Sequence, residues 1–238
     1  MAAALDPEEM RSALADARLY LIFTPHLCGE REPLAVLSDV LPWVDMIQVR
    51  PKAQEFGLDP LRGGPGPLAL TSARELYDWC TRVLELVRNI RPGIPVIAND
   101  RVDVAAALLD DGLAGVHLGQ DDSPVELARA QLGARALIGL STHSPAQVVR
   151  AGEQDLDYLG FGPFRATGTK GYGNGLGPEA CWLAQEASPW PVFAIGGIDA
   201  LNAGELEKCP RAAVGSAILS AADPASAARA IRAALQGE

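Results

Sequence analysis

Two cations stand two positions apart at the end of a short apolar run, in Gln48-Val49-Arg50-Pro51-Lys52. The chain has only three lysines, Lys52, Lys170 and Lys208. A solvated loop would account for the pair, but the scarcity of lysine tilts the reading toward an anion site. Further along, Asn99-Asp100-Arg101 and Gly119-Gln120-Asp121-Asp122 close two more runs. If those runs lie side by side, Asp100 and Asp122 come within reach of one ion. Two or three carboxylate oxygens completed by substrate phosphates suit Mg2+ far better than zinc. Asp121 or Asp122 could equally cap the helix that follows, as could Ser123. His117, inside its run, has the position of a satisfied core or rim histidine.

Ser141-Thr142-His143 precedes Ser144-Pro145, a helix start where backbone amides favour an anion. Ser141 could donate to a phosphate and His143 could move a proton; alternatively the three residues act as caps. After Gly162, glycines alternate with Thr167, Thr169 and Lys170. Exposed amides, hydroxyls and a cation together make a phosphate cradle, whereas a flexible linker needs no lysine. Gly196-Gly197 and Gly215-Ser216 end the last two runs. Glycines there let backbone approach a ligand, though turn glycines read the same way. The sum is one metal-assisted anion site and one built from backbone, which two phosphorylated ligands, or one with two phosphates, would fill.

These residues need a scaffold that brings the ends of many strands to one face. Apolar runs fall at Leu19 to Thr24, Val44 to Arg50, Pro95 to Asp100, Gly115 to Gly119, Leu137 to Thr142, Tyr158 to Gly162, Val192 to Gly196 and Ala212 to Ala217. Amphipathic segments separate them. Ser72 to Glu75 and Ser123 to Glu126 fit the capping box, the second with Pro124 at the first helical position. Ser144-Pro145, Asp223-Pro224 and Asp6-Pro7 repeat the start chemistry. Nearly all-apolar strands separated by helices are what a parallel sheet buried on both faces requires, and eight such units imply an α/β fold of the (β/α)8 TIM-barrel type. An open doubly wound sheet would want a glycine fingerprint after its first strand, and Thr24-Pro25-His26 is none. The expected organisation is one barrel domain over 1–238, with a short extra helix in an N-terminal extension (1–17) and a long Gly- and Pro-rich loop at 53–70.

At 238 residues and 48% hydrophobic content the chain can hide about 70% of its extended surface in one core, which excludes disorder. Its apolar runs are too short to span a membrane. The formal charge of −10 disfavours nucleic acid and anionic lipid as partners. Cys28, Cys80, Cys181 and Cys209 form no C-x-x-C pair and read as reduced thiols. Met1 to Glu9 lacks a basic and long apolar leader, so a cytoplasmic location is expected. Nothing in the pattern selects an oligomeric state.

Asn99-Asp100-Arg101-Val102-Asp103, Gly115 to Asp122, Ser141-Thr142-His143, Thr167-Gly168-Thr169-Lys170 and Ile195 to Ile198 occur in an order that resembles the thiamine-phosphate synthase family. The likeness runs from about Leu19 to the C-terminus. It implies Mg2+-assisted joining of hydroxymethylpyrimidine diphosphate to a thiazole phosphate, with release of pyrophosphate. On that resemblance Asp100 and Asp122 would ligate Mg2+, and Gln48, Arg50, Lys52, Asn99, Ser141 and Lys170 would hold the pyrimidine diphosphate. Arg50, Lys52, Ser141 and Lys170 would assist its departure. Thr167, Thr169, Gly196, Gly197, Gly215 and Ser216 would hold the thiazole phosphate. A sister group resembling thiazole tautomerase shares Asn99 to Asp103 and Ile195 to Ile198; Gln120 with Asp122 and the Arg50 and Lys52 pair favour the synthase. A metal-independent tautomerase using His143, and a non-catalytic thiamine phosphate-binding protein, are the alternatives. Three departures stand out: Pro51 where the family has Glu, the long 53–70 stretch, and Phe164-Arg165-Ala166 where the family has a more apolar, Pro-containing segment.

Overall fold

In the computed structural model eight strands close into a parallel barrel: β1 (Leu19–Phe23), β2 (Met46–Val49), β3 (Val96–Asn99), β4 (Gly115–Leu118), β5 (Leu137–Thr142), β6 (Tyr158–Phe161), β7 (Val192–Ile195) and β8 (Ala212–Val214). Each pairs with its sequence neighbour, and β8 closes on β1 with Leu19 opposite Ala212. The structure describes residues 6–51, 72–165 and 175–237; Lys52, the 53–70 loop, Thr167, Thr169 and Lys170 lie outside the described residues. Nearly every strand residue is buried because both faces are covered. Leu21, Phe23, Val49, Val116 and Ile138 pack outward into the helix-facing core. Tyr20, Ile22, Met46, Ile97, Tyr158 and Phe193 fill the barrel interior.

The helices are α1 (Pro7–Asp16), α2 (Pro33–Val40), α3 (Ala73–Ile90), α4 (Val102–Leu108), α5 (Val125–Leu132), α6 (Pro145–Ala151), α7 (Gly177–Ala187), α8 (Ser216–Leu219) and α9 (Pro224–Gln236). Between β7 and β8 the connection is reduced to a 3-10 turn at Ala203–Leu206. The expected starts at Asp6, Ser72, Ser144 and Asp223 are all present, each side chain accepting an amide from the first turn. Ser123 is the exception. α5 begins at Val125 behind Pro124, and no side chain caps it. The preceding residues are committed to a turn in which the Gly119 amide donates to Asp122 at 2.6 Å, so Ser123 leaves the turn out of capping register.

α1 seals the N-terminal mouth, where Met10, Leu14 and Ala17 join the interior cluster under Tyr20 and Met46. Asp157, just before β6, anchors that end: it accepts from Arg11 at 2.9 Å, Arg129 at 2.8 Å and the Ile138 amide at 2.8 Å. At the other mouth every strand but β5 ends earlier than its apolar run implies, because the chain turns out of the ladder there. Asp100 has φ 63°, and Gly196 and Gly197 have φ 97° and 68°. All four cysteines are buried and free, and burial pushes the Cys80 and Cys181 thiols up to about 12. Among the described residues no helix is long and apolar enough to cross a membrane.

Candidate active site

Alternation along each strand sends every second side chain inward, and toward the C-terminal mouth those positions are polar: Gln48 on β2, Asn99 on β3, His117 on β4, Ser141 on β5. Gln48, Asn99 and His117 are buried, at 3%, 7% and 7% exposure. The Gln48 amide nitrogen donates to Tyr20 Oη at 2.8 Å, and the Tyr20 and Tyr158 hydroxyls are 2.9 Å apart. Tyr158 Oη lies 3.2 Å from His117 Nδ1, and His117 Nε2 lies 2.9 Å from Ser141 Oγ. A polar floor therefore crosses the barrel beneath the mouth. Tyr20 and Tyr158 went unnoticed as site residues in the sequence; the available signal was their inward register, since barrel interiors usually carry branched apolar side chains there. Gly139 makes the floor possible, for a Cβ at that position would lie 2.1 Å from Tyr158 Cζ and 2.6 Å from His117 Nδ1.

Above this floor stand the charges. Burial lowers the His117 pKa to about 4; the Asp100 carboxylate opposes that shift, and the Arg50 guanidinium adds to it. Arg50 and Asp100 thus both act on one imidazole. The expectation of a satisfied core or rim histidine holds: its partners are Tyr158, in the barrel interior, and Ser141, at the mouth. His26, at the end of β1, is also lowered, chiefly by burial and then by Arg50.

Asp100 and Asp122 follow neighbouring parallel strands, so both lie at the same mouth. Neither occupies the cap position of the helix that follows it, which falls to Arg101 and Pro124. α4 has Arg101 at its cap position without a side-chain bond, and Asp122 accepts instead from the Gly119 amide. Asp122 is exposed and borders a cleft of about 270 Å3 with Gly119, Gln120, Gln147 and Arg150. Gln120 donates to the Ser141 carbonyl at 2.6 Å, tying this loop to β5. The cap reading of Ser141-Thr142-His143 is not realised by their side chains: Ser144 caps α6, Thr142 Oγ1 donates to the Gly160 carbonyl at 2.8 Å, and Ser141 faces His117. His143 is half-buried with Nδ1 2.8 Å from the Gly162 carbonyl, an acceptor that places a proton on Nδ1.

Gly196 and Gly197, in the left-handed region, press the β7 turn against the segment after β6. The Arg165 amide donates to the Gly196 carbonyl at 3.0 Å, and a Cβ on Gly197 would lie 2.7 Å from Arg165 Cβ. Phe164 is fully buried and Arg165 pairs with Glu205. Gly215 precedes α8, with Ser216 exposed as its first residue. The structure thus brings Gln48, Arg50, Asn99, Asp100, Ser141, the Gly196-Gly197 turn and the Gly215-Ser216 turn to strand ends at one mouth. Lys52, Thr167, Thr169 and Lys170 lie outside the described residues.

A family model described as thiamine monophosphate synthase matches residues 19–221. The chain is 38% identical over 220 residues to a thiamine-phosphate synthase of Gloeobacter violaceus, covering 91% of this chain and 57% of that protein. It is 34% identical over 224 residues to one from Chloroflexus aurantiacus, covering 92% and 93%. A solved thiamine phosphate pyrophosphorylase from Pyrococcus furiosus superposes with a TM-score of 0.74 at 28% identity, covering 96% of this chain and 98% of that one. The chain thus spans little more than half the length of the Gloeobacter relative and nearly all of the Chloroflexus one.

Proposed function

The chain belongs to the thiamine monophosphate synthase family, and on that premise we propose that it joins hydroxymethylpyrimidine diphosphate to a thiazole phosphate, releasing pyrophosphate and forming thiamine phosphate. The observation that carries this reading is that a cation, a carboxylate and a hydroxyl, Arg50, Asp100 and Ser141, stand at the ends of β2, β3 and β5, flanking β4 and its His117, at the C-terminal mouth.

The donor set fits Mg2+: Asp100 and Asp122 offer hard carboxylate oxygens from the ends of adjacent strands. Phosphate oxygens of the substrate would supply further hard ligands. When bound, the ion supplies charge neutralisation to a departing diphosphate. The chain's own residues do the rest. Gln48 and Asn99, buried amides at the mouth, orient the pyrimidine. Arg50 and the Ser141 hydroxyl bond diphosphate oxygens, joined by Lys52 and Lys170. These contacts strengthen as the C–O bond breaks and its electron pair passes to the diphosphate, which is where fixed donors accelerate a reaction. The thiazole nitrogen then gives its pair to the methylene carbon. Thr167, Thr169, Gly196, Gly197, Gly215 and Ser216 hold the thiazole phosphate so that this nitrogen faces the carbon.

Purified chain given both phosphorylated precursors and Mg2+ is expected to form thiamine phosphate and pyrophosphate, and EDTA to stop it. Asp100→Asn should lower kcat by about 100-fold or more. No product at any Mg2+ concentration would sink the proposal. Isomerisation of a thiazole phosphate that survives EDTA and disappears in His143→Ala would replace it with the tautomerase.

A further inference from the structure

The polar row across the barrel has a direction. An amide nitrogen only donates, so Tyr20 Oη receives its bond from Gln48 Nε2, and the direction that spends every hydrogen inside the row has Tyr20 giving its own to Tyr158 Oη, its other neighbour there. Tyr158, having received, gives its hydrogen to His117 Nδ1. A ring nitrogen that accepts carries no hydrogen, so the neutral imidazole bears its proton on Nε2 and donates it to Ser141 Oγ. The Ser141 hydrogen is then turned away from the imidazole. Were the Gln48 amide reversed, every bond would reverse: Ser141 would give its hydrogen to His117 and present only lone pairs to the mouth.

We propose that Tyr20, Tyr158 and His117 are positioning residues that carry the donor direction of Gln48 across the barrel and set the Ser141 hydroxyl as a hydrogen-bond donor to a diphosphate-type anion. The ligand named here rests on the function proposed above; the direction of the row does not. The row also couples two walls of the mouth, since Gln48 on β2 and Ser141 on β5 are ends of one hydrogen-bonded line whose members polarise one another. Gly139 leaves the space in which Tyr158 and His117 meet.

The chain has three histidines, so the ring nitrogens of His117 can be resolved by 1H–15N correlation on the full, histidine-labelled protein. The expected wild-type pattern is a neutral Nε2–H ring with an unprotonated Nδ1. A proton on Nδ1 of a neutral ring overturns the proposal, whatever the activity. Tyr158→Phe should move the two nitrogen shifts toward each other as both tautomers populate; an unmoved pattern overturns it too. In kinetics, Ser141→Ala is expected to lower kcat/KM by roughly tenfold or more, the range of one bond to a charged group, and Tyr158→Phe by the smaller factor set by the fraction of rings that keep Nε2–H. The double variant should lose little beyond Ser141→Ala, whereas additive losses contradict the relay. Tyr20→Phe repeats the test one step upstream should Tyr158→Phe fail to fold. An Nε2–H ring in a chain that makes no thiamine phosphate supports the relay and rejects the function.

Discussion

At φ 63°, Asp100 holds the left-handed backbone that side chains with a Cβ avoid at a cost of about 1–2 kcal/mol, a cost that Asp and Asn reduce. Such strain gathers where a side chain must be aimed, here a carboxylate beside His117. Asp100→Asn should therefore keep its urea midpoint, while Asp100→Ala loses roughly 1 kcal/mol more; equal stability of the two variants would argue against strain. His117 makes a second prediction. Folded, it stays neutral down to about pH 4, whereas the unfolded chain takes up its proton near pH 6.5. The unfolded state binds more protons in that window, so the imidazole's contribution is complete above pH 6.5 and fades as pH falls to 4, by up to about 3 kcal/mol. Urea unfolding at pH 7 and 4.5 should show a smaller loss in His117→Gln than in the parent chain. Parallel losses would mean the imidazole titrates normally.

Among the elements, the strands divide their labour along their length. The N-terminal half of the barrel is stapled by α1 and by Asp157, whose side chain is 5% exposed and which receives Arg11, Arg129 and a β5 amide. Removing one partner of a buried pair strands the other charge, so Asp157→Ala should cost about 3–5 kcal/mol. Arg11, at 41% exposure, is half in water, and Arg11→Ala should cost less than about 1 kcal/mol. Chemical denaturation of both variants tests the contrast, and similar losses would show that α1 depends on Arg11 itself. The C-terminal half carries no such staple from α1; its inward side chains are tied to one another by the Gln48-to-Ser141 row. Helix starts whose caps bond within three residues were readable in the chain, as at Ser72 and Asp223. Ser123 was not, because a neighbouring turn claimed the register.

For the molecule as a whole, a formal charge of −10 repels the anions the mouth is proposed to take, so the local field of Arg50, with the proposed help of Lys52 and Lys170, must overcome the total. A ligand seated on β2, β3, β4 and β5 at once is bound only by the closed barrel. Mg2+ with pyrophosphate at about 100 times its Kd should stabilise the fold by about 2.7 kcal/mol, read as a rise in Tm. An equal rise in Asp100→Asn would show that the carboxylate takes no part. By itself the chain specified the barrel, since a parallel strand covered on both faces has to be written as an apolar run, and eight such runs alternate with helices. It also specified which polar residues end the strands, because position along a run is local. Which of them touch was decided by closure alone. Tyr20 and Tyr158 lie 138 positions apart and Tyr158 and His117 lie 41 apart, and the stagger of neighbouring strands, a property of the whole ring, sets them at one height.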